Sequence, residues 1–474
     1  MKKIGIVSAW ILTVAILVTG CGKSNTSENP VTISVWHCYN GAQQDAFDEL
    51  IKEFNSEEGK QLGIHVEPSG QGEVNNLEEK VMDAVTGVVG ADEVPNVFAT
   101  YADTAYALEE QKKLVDLRHY LTEEEISKYV DSYIEDGKFS SKGGLKIFPV
   151  AKATEVFMVN QTELDQFVEA TGADVKELST IEGVTDIAQK YYEWTDSLTE
   201  QPEDGKAFFG RDGMANYFII GAKQLGTTIF KVSDGKVVLN FDEPVMKKLW
   251  DNYYIPYMKG YFASYGRFRS DDIKAGKLVA FVGSSAGATF FPKEVTLNDS
   301  KTYPIEMGCY ECPQFADGEK YAVQQGPGMA VVKTTEKEIK ASVEFLKWFT
   351  SKERNVEFSV TSGYLPVRKD ANNMKQIAQY TTDNQQVNSI IETSIKIVKD
   401  TPLYSVRGFK EGTEARMVLE HSLSDKAKAD RNTVVQNISG GMSRTEAISQ
   451  FDNDANFKSW YEATKTQLED LTKE

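Results

Sequence analysis

The strongest constraint on the fold is an alternation near the start of the chain. Residues 31–36 (VTISVW) are rich in β-branched side chains and read as a strand. Residues 43–54 (QQDAFDELIKEF) repeat apolar side chains at helical spacing through Phe47, Leu50, Ile51 and Phe54. Residues 64–67 read as a second strand, 75–89 as a second amphipathic helix, and 97–100 (VFAT) as a third strand after Pro95. Parallel strands need a crossover long enough to hold a helix. Strand, helix, strand, helix, strand therefore predicts the start of an open parallel α/β sheet.

What precedes that sheet has a different character. Lys2 and Lys3 stand before an apolar run over residues 4–18, too short for a comfortable membrane span and flanked like a secretory leader. The run ends in Val18-Thr19-Gly20-Cys21, which resembles a bacterial lipobox. That resemblance implies a signal peptide over residues 1–20 and lipidation of Cys21. Residues 23–30 (KSNTSENP) are polar, so 21–30 are expected to be the lipidated Cys and a flexible tether. The expected location is the outer, extracytoplasmic face of the cell membrane, held by lipid alone.

Composition narrows the function. With 71 acids against 52 Lys and Arg, the net charge of −19 argues against nucleic acid, whose phosphates need clustered cations. Four His and four Cys leave little for a multi-ligand metal site, and His37, His65 and His119 lack ligand spacing. No Walker loop or dinucleotide fingerprint occurs, so no cofactor and no metal are expected. The 474 residues are enough for two or three domains at about 150 residues each.

Further along, residues 147–157, 278–282 (LVAFV) and 329–332 (MAVV) read as strands, and 201–213 as a polar loop. Residues 164–192, 216–225, 244–257, 337–349, 372–380, 386–398, 411–423 and 444–471 read as mainly helical. Gly283-Ser284-Ser285-Ala286-Gly287 fits G-x-S-x-G, the nucleophile elbow of serine hydrolases. The only His after it is His421, in the helical segment ARMVLEHSL, where a catalytic loop is needed. The simpler reading is a turn whose hydroxyls and N–H groups face a ligand. Cys309 and Cys312 form a C-x-x-C without a second pair, so a local disulfide or two free thiols both fit. Gly326-Pro327-Gly328 either brings backbone close to a ligand or is a plain turn. Trp36, Tyr39 and Tyr101 fall at or beyond the ends of predicted parallel strands, where open α/β sheets bind ligands.

The order of segments resembles the family 1 extracellular solute-binding proteins of ABC importers. TISVWHCYNG with AFDELIKEFN is similar to that family's opening strand and helix. VPNVFATYADTAYALEEQKKLVDL, FPVAKATEVFMVNQTELD and IKAGKLVAFVGSSAG follow in the expected order. The most specific piece is SVEFLKWFTSKERNVEFSVTSGYLPVRKDA. The resemblance implies a two-lobed, periplasmic-binding-protein-like type II α/β fold. Its sheets are mixed but mostly parallel, flanked by helices, with a ligand cleft between the lobes. It also implies a monomeric binding protein rather than an enzyme, with a small-molecule ligand and ABC permease subunits as partners.

Three details resemble the glycerol-3-phosphate-binding branch: Trp36-His37, the GSSAG turn and Ser405-Val406-Arg407-Gly408. By that resemblance the ligand contacts fall on Ser284 or Ser285, Gly326, Tyr364 and Arg407. Thr154 stands where the branch has Ser-Ser-Thr, and Asp103 where it has an acidic contact. Arg407 would pair a phosphate; for a neutral sugar, stacking by Trp36, Tyr39, Tyr101 or Tyr217 would dominate. Lobe 1 is expected over 31–145 plus 284–328 and lobe 2 over 146–283 plus 329–474. Crossings are expected near 146–152, 278–283 and 329–333. A secreted serine hydrolase and a surface adhesin are the alternatives.

Overall fold

The computed structural model describes residues 30–138, 143–233, 235–298, 301–380 and 384–473. The expected leader, Cys21 and the tether up to residue 29 lie outside the described residues.

Two four-stranded sheets organise two α/β lobes. The first has the order Gly328–Val331, Val97–Thr100, Val31–His37, Ile64–Gly70. Val31–His37 runs parallel to both neighbours, and Gly328–Val331 closes the sheet antiparallel to Val97–Thr100. The period of two in Val31–His37 sends Ile33 and Val35 to the face covered by helix Ala42–Ser56, which buries Phe47, Leu50, Ile51 and Phe54. Trp36 goes to the other face, where it shares a core with Leu77 and Val81 of helix Val74–Thr86.

The second sheet has the order Met307–Tyr310, Glu155–Asn160, Ala280–Ser284, Phe209–Arg211. Glu155–Asn160 runs against both neighbours; Phe209–Arg211 is parallel to Ala280–Ser284. Much of the chain's aromatic content packs against this sheet. Phe218, Trp250, Tyr254, Phe457 and Trp460 form one core with Leu419 and Leu423 of the long helix Gly412–Ser439.

The lobes partition differently from the expected boundaries. Segment 284–328, expected in lobe 1, carries Met307–Tyr310, which pairs with Glu155–Asn160 in the second sheet. From Gly328 the chain returns to the first sheet, and helices Glu336–Phe349 and Lys352–Ser362 pack on lobe 1. Phe349 and Phe358 meet Phe47 edge-on there. An amphipathic helix can serve either sheet until its partner surface is known; here the aromatic face of Ala42–Ser56 decides. Residues 278–283 do not cross. They lie mainly in the buried strand Ala280–Ser284, because a short apolar run reads equally as a core strand or a connection. The polar segment 201–213 likewise ends in the edge strand Phe209–Arg211, and 444–471 splits into helices Arg444–Ser449 and Asp454–Thr472.

Two crossings run side by side, joined by bridges Phe148–Met329 and Ala153–Gln325, with Lys152 also bridging Leu365. Helix Gln385–Asp400 spans the seam. Val387, Ile391 and Ile395 pack with Val356, Val360 and Leu365, whereas Ile390 and Ile397 pack with Phe281 and Ile305.

Candidate functional site

The lobes enclose a cavity of about 290 Å³ that shares Glu78, Asp103, Phe409, Gly412 and Thr413 with an outer groove of about 710 Å³. Lobe 1 contributes Glu78, Tyr101 and Asp103; the crossing contributes Gln325 and Gly326; lobe 2 contributes Asn216, Phe230, Phe409 and Arg416.

Each arrives there for a local reason. Strand Val97–Thr100 ends at the cleft, so Tyr101 and Asp103 sit at the start of helix Ala102–Glu110. The Tyr101 N–H donates to Glu78 Oε1 at 3.2 Å, which ties that helix to Val74–Thr86. Tyr101 remains 37% exposed, a large aromatic surface on the cavity wall. Gly326 has φ +92°, and a side chain there would run into the backbone of residues 151–153. Glycine thus lets the two crossings touch. The Gly326 carbonyl accepts from Lys152 Nζ at 3.0 Å, and Lys152 also donates to Asp136 Oδ2 at 2.7 Å. The other Asp136 oxygen accepts from Ser405 Oγ at 2.7 Å.

The lobes touch across the cavity. The Phe409 N–H donates to Asp103 Oδ1 at 3.4 Å, and a Cβ at Gly408 or Gly412 would run into the Ala102 carbonyl or the Asp103 carboxylate. Burial lifts the Asp103 carboxyl from 3.8 to about 7, against the opposing pull of the Phe409 N–H and of Arg416. Burial also raises Glu78, opposed by the Tyr101 N–H and the Thr104 hydroxyl. Arg416 donates from Nη2 to Asn216 Oδ1 at 2.6 Å. Asn216 Nδ2 donates to Glu155 Oε1 at 2.8 Å and Gln325 Oε1 at 3.1 Å, and Glu155 pairs with Arg211. The cavity therefore combines an aromatic face, the acidic side chains Glu78, Asp103 and Asp136, and one cationic donor, Arg416.

Of the residues singled out in the sequence, Tyr101, Asp103 and Gly326 line this cavity. The others sit elsewhere. Trp36 is 6% exposed in the lobe 1 core, on the strand face that turns towards helix Val74–Thr86. Tyr39 and Tyr364 are buried against each other and Phe358. Thr154 Oγ1 donates to the Val323 carbonyl at 2.8 Å, and Ser285 exchanges hydrogen bonds with the Thr154 backbone. Ser284 Oγ accepts from the Ala286 N–H at 3.3 Å. Tyr217 donates to the Leu249 carbonyl at 2.8 Å inside lobe 2. Arg407 is exposed and does not line the cavity, although its neighbours Ser405 and Val406 do. Phe409 anchors that loop in the lobe 2 core against Phe230, and Arg407 is left to solvent.

Glu78, Asn216, Phe409 and Arg416 were not singled out from the sequence. Glu78, Asn216 and Arg416 fall in segments read there only as helical, and Phe409 in none. The buried Ser285 hydroxyl is taken up by Thr154, and His421 lies beside Asp425 on a different groove. Cys38, Cys309 and Cys312 are free thiols. Burial pushes Cys38 and Cys309 up to about 12, far from thiolate reactivity.

A search of curated protein sequences finds no match. The sequence profile of the family described as bacterial extracellular solute-binding protein matches residues 49–384. Solved structures share the fold. The cyclic α-maltosyl-1,6-maltose binding protein from Arthrobacter globiformis has a TM-score of 0.65 at 17% identity, covering 93% of this chain and 100% of that one. The GacH receptor of Streptomyces glaucescens, studied unliganded and with acarbose, has 0.66 at 16%, covering 94% and 100%. UgpB from Mycobacterium tuberculosis, in complex with glycerophosphocholine, has 0.64 at 19%, covering 93% and 98%.

Proposed function

The chain belongs to the bacterial extracellular solute-binding protein family, and on that premise we propose that it captures a small neutral carbohydrate between its lobes and delivers it to an ABC permease. The observation that carries this is the interlobe cavity, lined by Tyr101, Asp103 and Glu78 of lobe 1 and by Arg416 of lobe 2. A sugar ring has an apolar face that stacks on an aromatic side chain. Its hydroxyls donate to carboxylates and accept from a guanidinium. A glycerol phosphate would meet Arg416 but also Glu78, Asp103 and Asp136 in the same small space, and like charges disfavour a dianion there. Neighbours of the same fold were solved with or named for oligosaccharides as well as for glycerophosphocholine, so the cleft chemistry carries the choice.

Contacts from both lobes favour the closed state, which makes capture and shape change one event. No bond is made or broken. The lipobox-like Val18-Thr19-Gly20-Cys21 supports tethering by lipid at Cys21 to the outer face of the membrane. A thermal-shift panel on the chain from Lys23 tests the ligand class, with maltotriose, glycerophosphocholine and glycerol 3-phosphate. A ligand at about 100 times its Kd adds about 2.7 kcal/mol and raises Tm by several degrees. Maltotriose is expected to give that shift. A shift with glycerol 3-phosphate alone would overturn the neutral-ligand reading.

A further inference from the structure

We infer that Arg416 selects what the cleft accepts and that Asn216, held by Glu155, is the positioning residue that aims it. This rests on the cleft being the binding site.

An arginine on a cavity wall has several rotatable bonds, and its order must come from its partners. Among the described residues, the one hydrogen-bond partner of Arg416 is Asn216 Oδ1, and no carboxylate lies within ion-pair distance of it. Nε, Nη1 and the second Nη2 hydrogen therefore have no protein partner among those residues, a planar set of donors left for a ligand.

The Asn216 amide is fixed in the orientation Arg416 needs. Asn216 is buried, and its Nδ2 donates to Glu155 Oε1 and Gln325 Oε1, two acceptors that a carbonyl oxygen could not satisfy. Its Oδ1 must then face Arg416. Glu155 cannot swing away, because its other oxygen is paired with Arg211. A buried ion pair adds little to stability over an apolar pair, but it fixes the direction of the groups bonded to it.

The helices that carry Asn216 and Arg416 are also locked in register. Helix Met214–Gln224 begins at Gly213, which has no side chain to cap it. Glu420, one turn beyond Arg416 on helix Gly412–Ser439, accepts from the Met214 N–H at 3.2 Å and the Ala215 N–H at 2.8 Å. A carboxylate at a helix N-terminus satisfies orphan donors and the helix dipole together. Arg416 and Glu420, at i and i+4, thus share the helix face turned to Asn216.

The chemistry follows. The Nη2 hydrogen not given to Asn216 lies beside the Nη1 or the Nε donor, so one edge of the guanidinium still matches two neighbouring oxygens, and Asp103 on the opposite lobe accepts hydroxyl hydrogens. The class of ligand is a polyol with vicinal hydroxyls, gripped by a donor from lobe 2 and an acceptor from lobe 1.

The test compares Arg416→Met, Asn216→Ala and the double variant on the chain from Lys23. The first readout is the carboxyl titration of Asp103 by carbon-13 NMR, assigned by its loss in Asp103→Asn. It needs no ligand. Arg416→Met is expected to move that titration to higher pH, because a cation that favours the carboxylate is gone. Asn216→Ala should move it the same way by less, and the double variant should match Arg416→Met. If Asn216→Ala leaves it in place, or the double variant adds the two shifts, Asn216 does not act through Arg416. The second readout is calorimetry with maltotriose and with glycerophosphocholine. Arg416→Met is expected to weaken the probe that binds by about tenfold or more, and the double variant no further. Unchanged binding in Arg416→Met overturns the selecting role. If neither probe binds the unaltered chain, the proposed ligand class fails, and the Asp103 titration still decides the Asn216–Arg416 relation. Should Asn216→Ala fail to fold, Asn216→Leu, which keeps the volume and removes both amide groups, replaces it with the same expectations.

Discussion

Between the lobes, the Asp103 carboxyl titrates at about 7 instead of 3.8 because burial outweighs the Phe409 N–H and Arg416. Below about 4, folded and unfolded chains both carry the proton and the cost of burying the ionised carboxyl is absent. Between about 4 and 7 the unfolded chain releases its proton first, and above 7 both are ionised with the full desolvation cost in place. The Asp103 contribution to stability is therefore greatest below 3.8 and is lost as pH rises through about 7. Asp212, raised to about 6 mainly by burial, adds a similar slope. Asp103→Asn is expected to flatten the fall in urea midpoint between pH 4 and 7 while leaving the part due to Asp212; an unchanged profile would mean that Asp103 is solvated. At this scale the sequence was readable only where strand ends fix position. Tyr101 and Asp103 follow a strand that stops at the cleft. Trp36 lies one residue inside its strand, where side-chain parity sends it to a helix. Arg416 was out of reach, because its role depends on Asn216, 200 residues earlier, and on a helix start that Glu420 caps from another helix.

Helices and loops carry the next level. Thr335 and Glu338 form a reciprocal capping box at the start of helix Glu336–Phe349, with Thr335 Oγ1 accepting from the Glu338 N–H and Glu338 accepting from the Thr335 N–H at 3.0 Å. Thr335→Ala is expected to cost about 1 kcal/mol in chemical denaturation, without effect on ligand affinity. The loop that leads into helix Gly412–Ser439 has a different constraint. A methyl group at Gly408 or Gly412 would collide with the Ala102 carbonyl or the Asp103 carboxylate of the other lobe. Gly412→Ala should therefore hold the lobes apart, weakening whichever probe the unaltered chain takes by about tenfold or more while the unliganded chain unfolds at much the same temperature. Binding equal to the parent would show that the lobes close without that contact. The elements themselves were mostly legible, since 43–54 and 337–349 have clear helical spacing. Their lobe was not. Helix Glu336–Phe349 could be placed only once Phe345 and Phe349 had found Phe54 and Phe47, 291 and 302 residues away in the chain.

For the whole molecule, the question is what fixes one lobe against the other, and two ion pairs give contrasting answers. At the cleft mouth, Arg267 of lobe 2 pairs with Glu73 of lobe 1, with both side chains more than half exposed. Water and salt screen such a pair, so Arg267→Gln should change stability by less than about 1 kcal/mol. At the hinge, Lys152 is almost fully buried on a crossing segment and pairs with Asp136 of lobe 1 at 2.7 Å. It also donates to the Gly326 carbonyl on the other crossing, while Asp136 receives Ser405 from lobe 2. Four segments thus meet on one ammonium and one carboxylate. Lys152→Met leaves Asp136 as a poorly compensated charge in that junction, with an expected cost of about 3 kcal/mol or more. Thermal unfolding of the two variants side by side checks the contrast: a fall of several degrees for Lys152→Met and almost none for Arg267→Gln. Equal effects would mean that the crossings serve as passive linkers, with the lobes fixed by their facing surfaces alone. The predicted inequality instead puts the rigid point at the hinge and leaves the mouth free to open, as capture from solution requires.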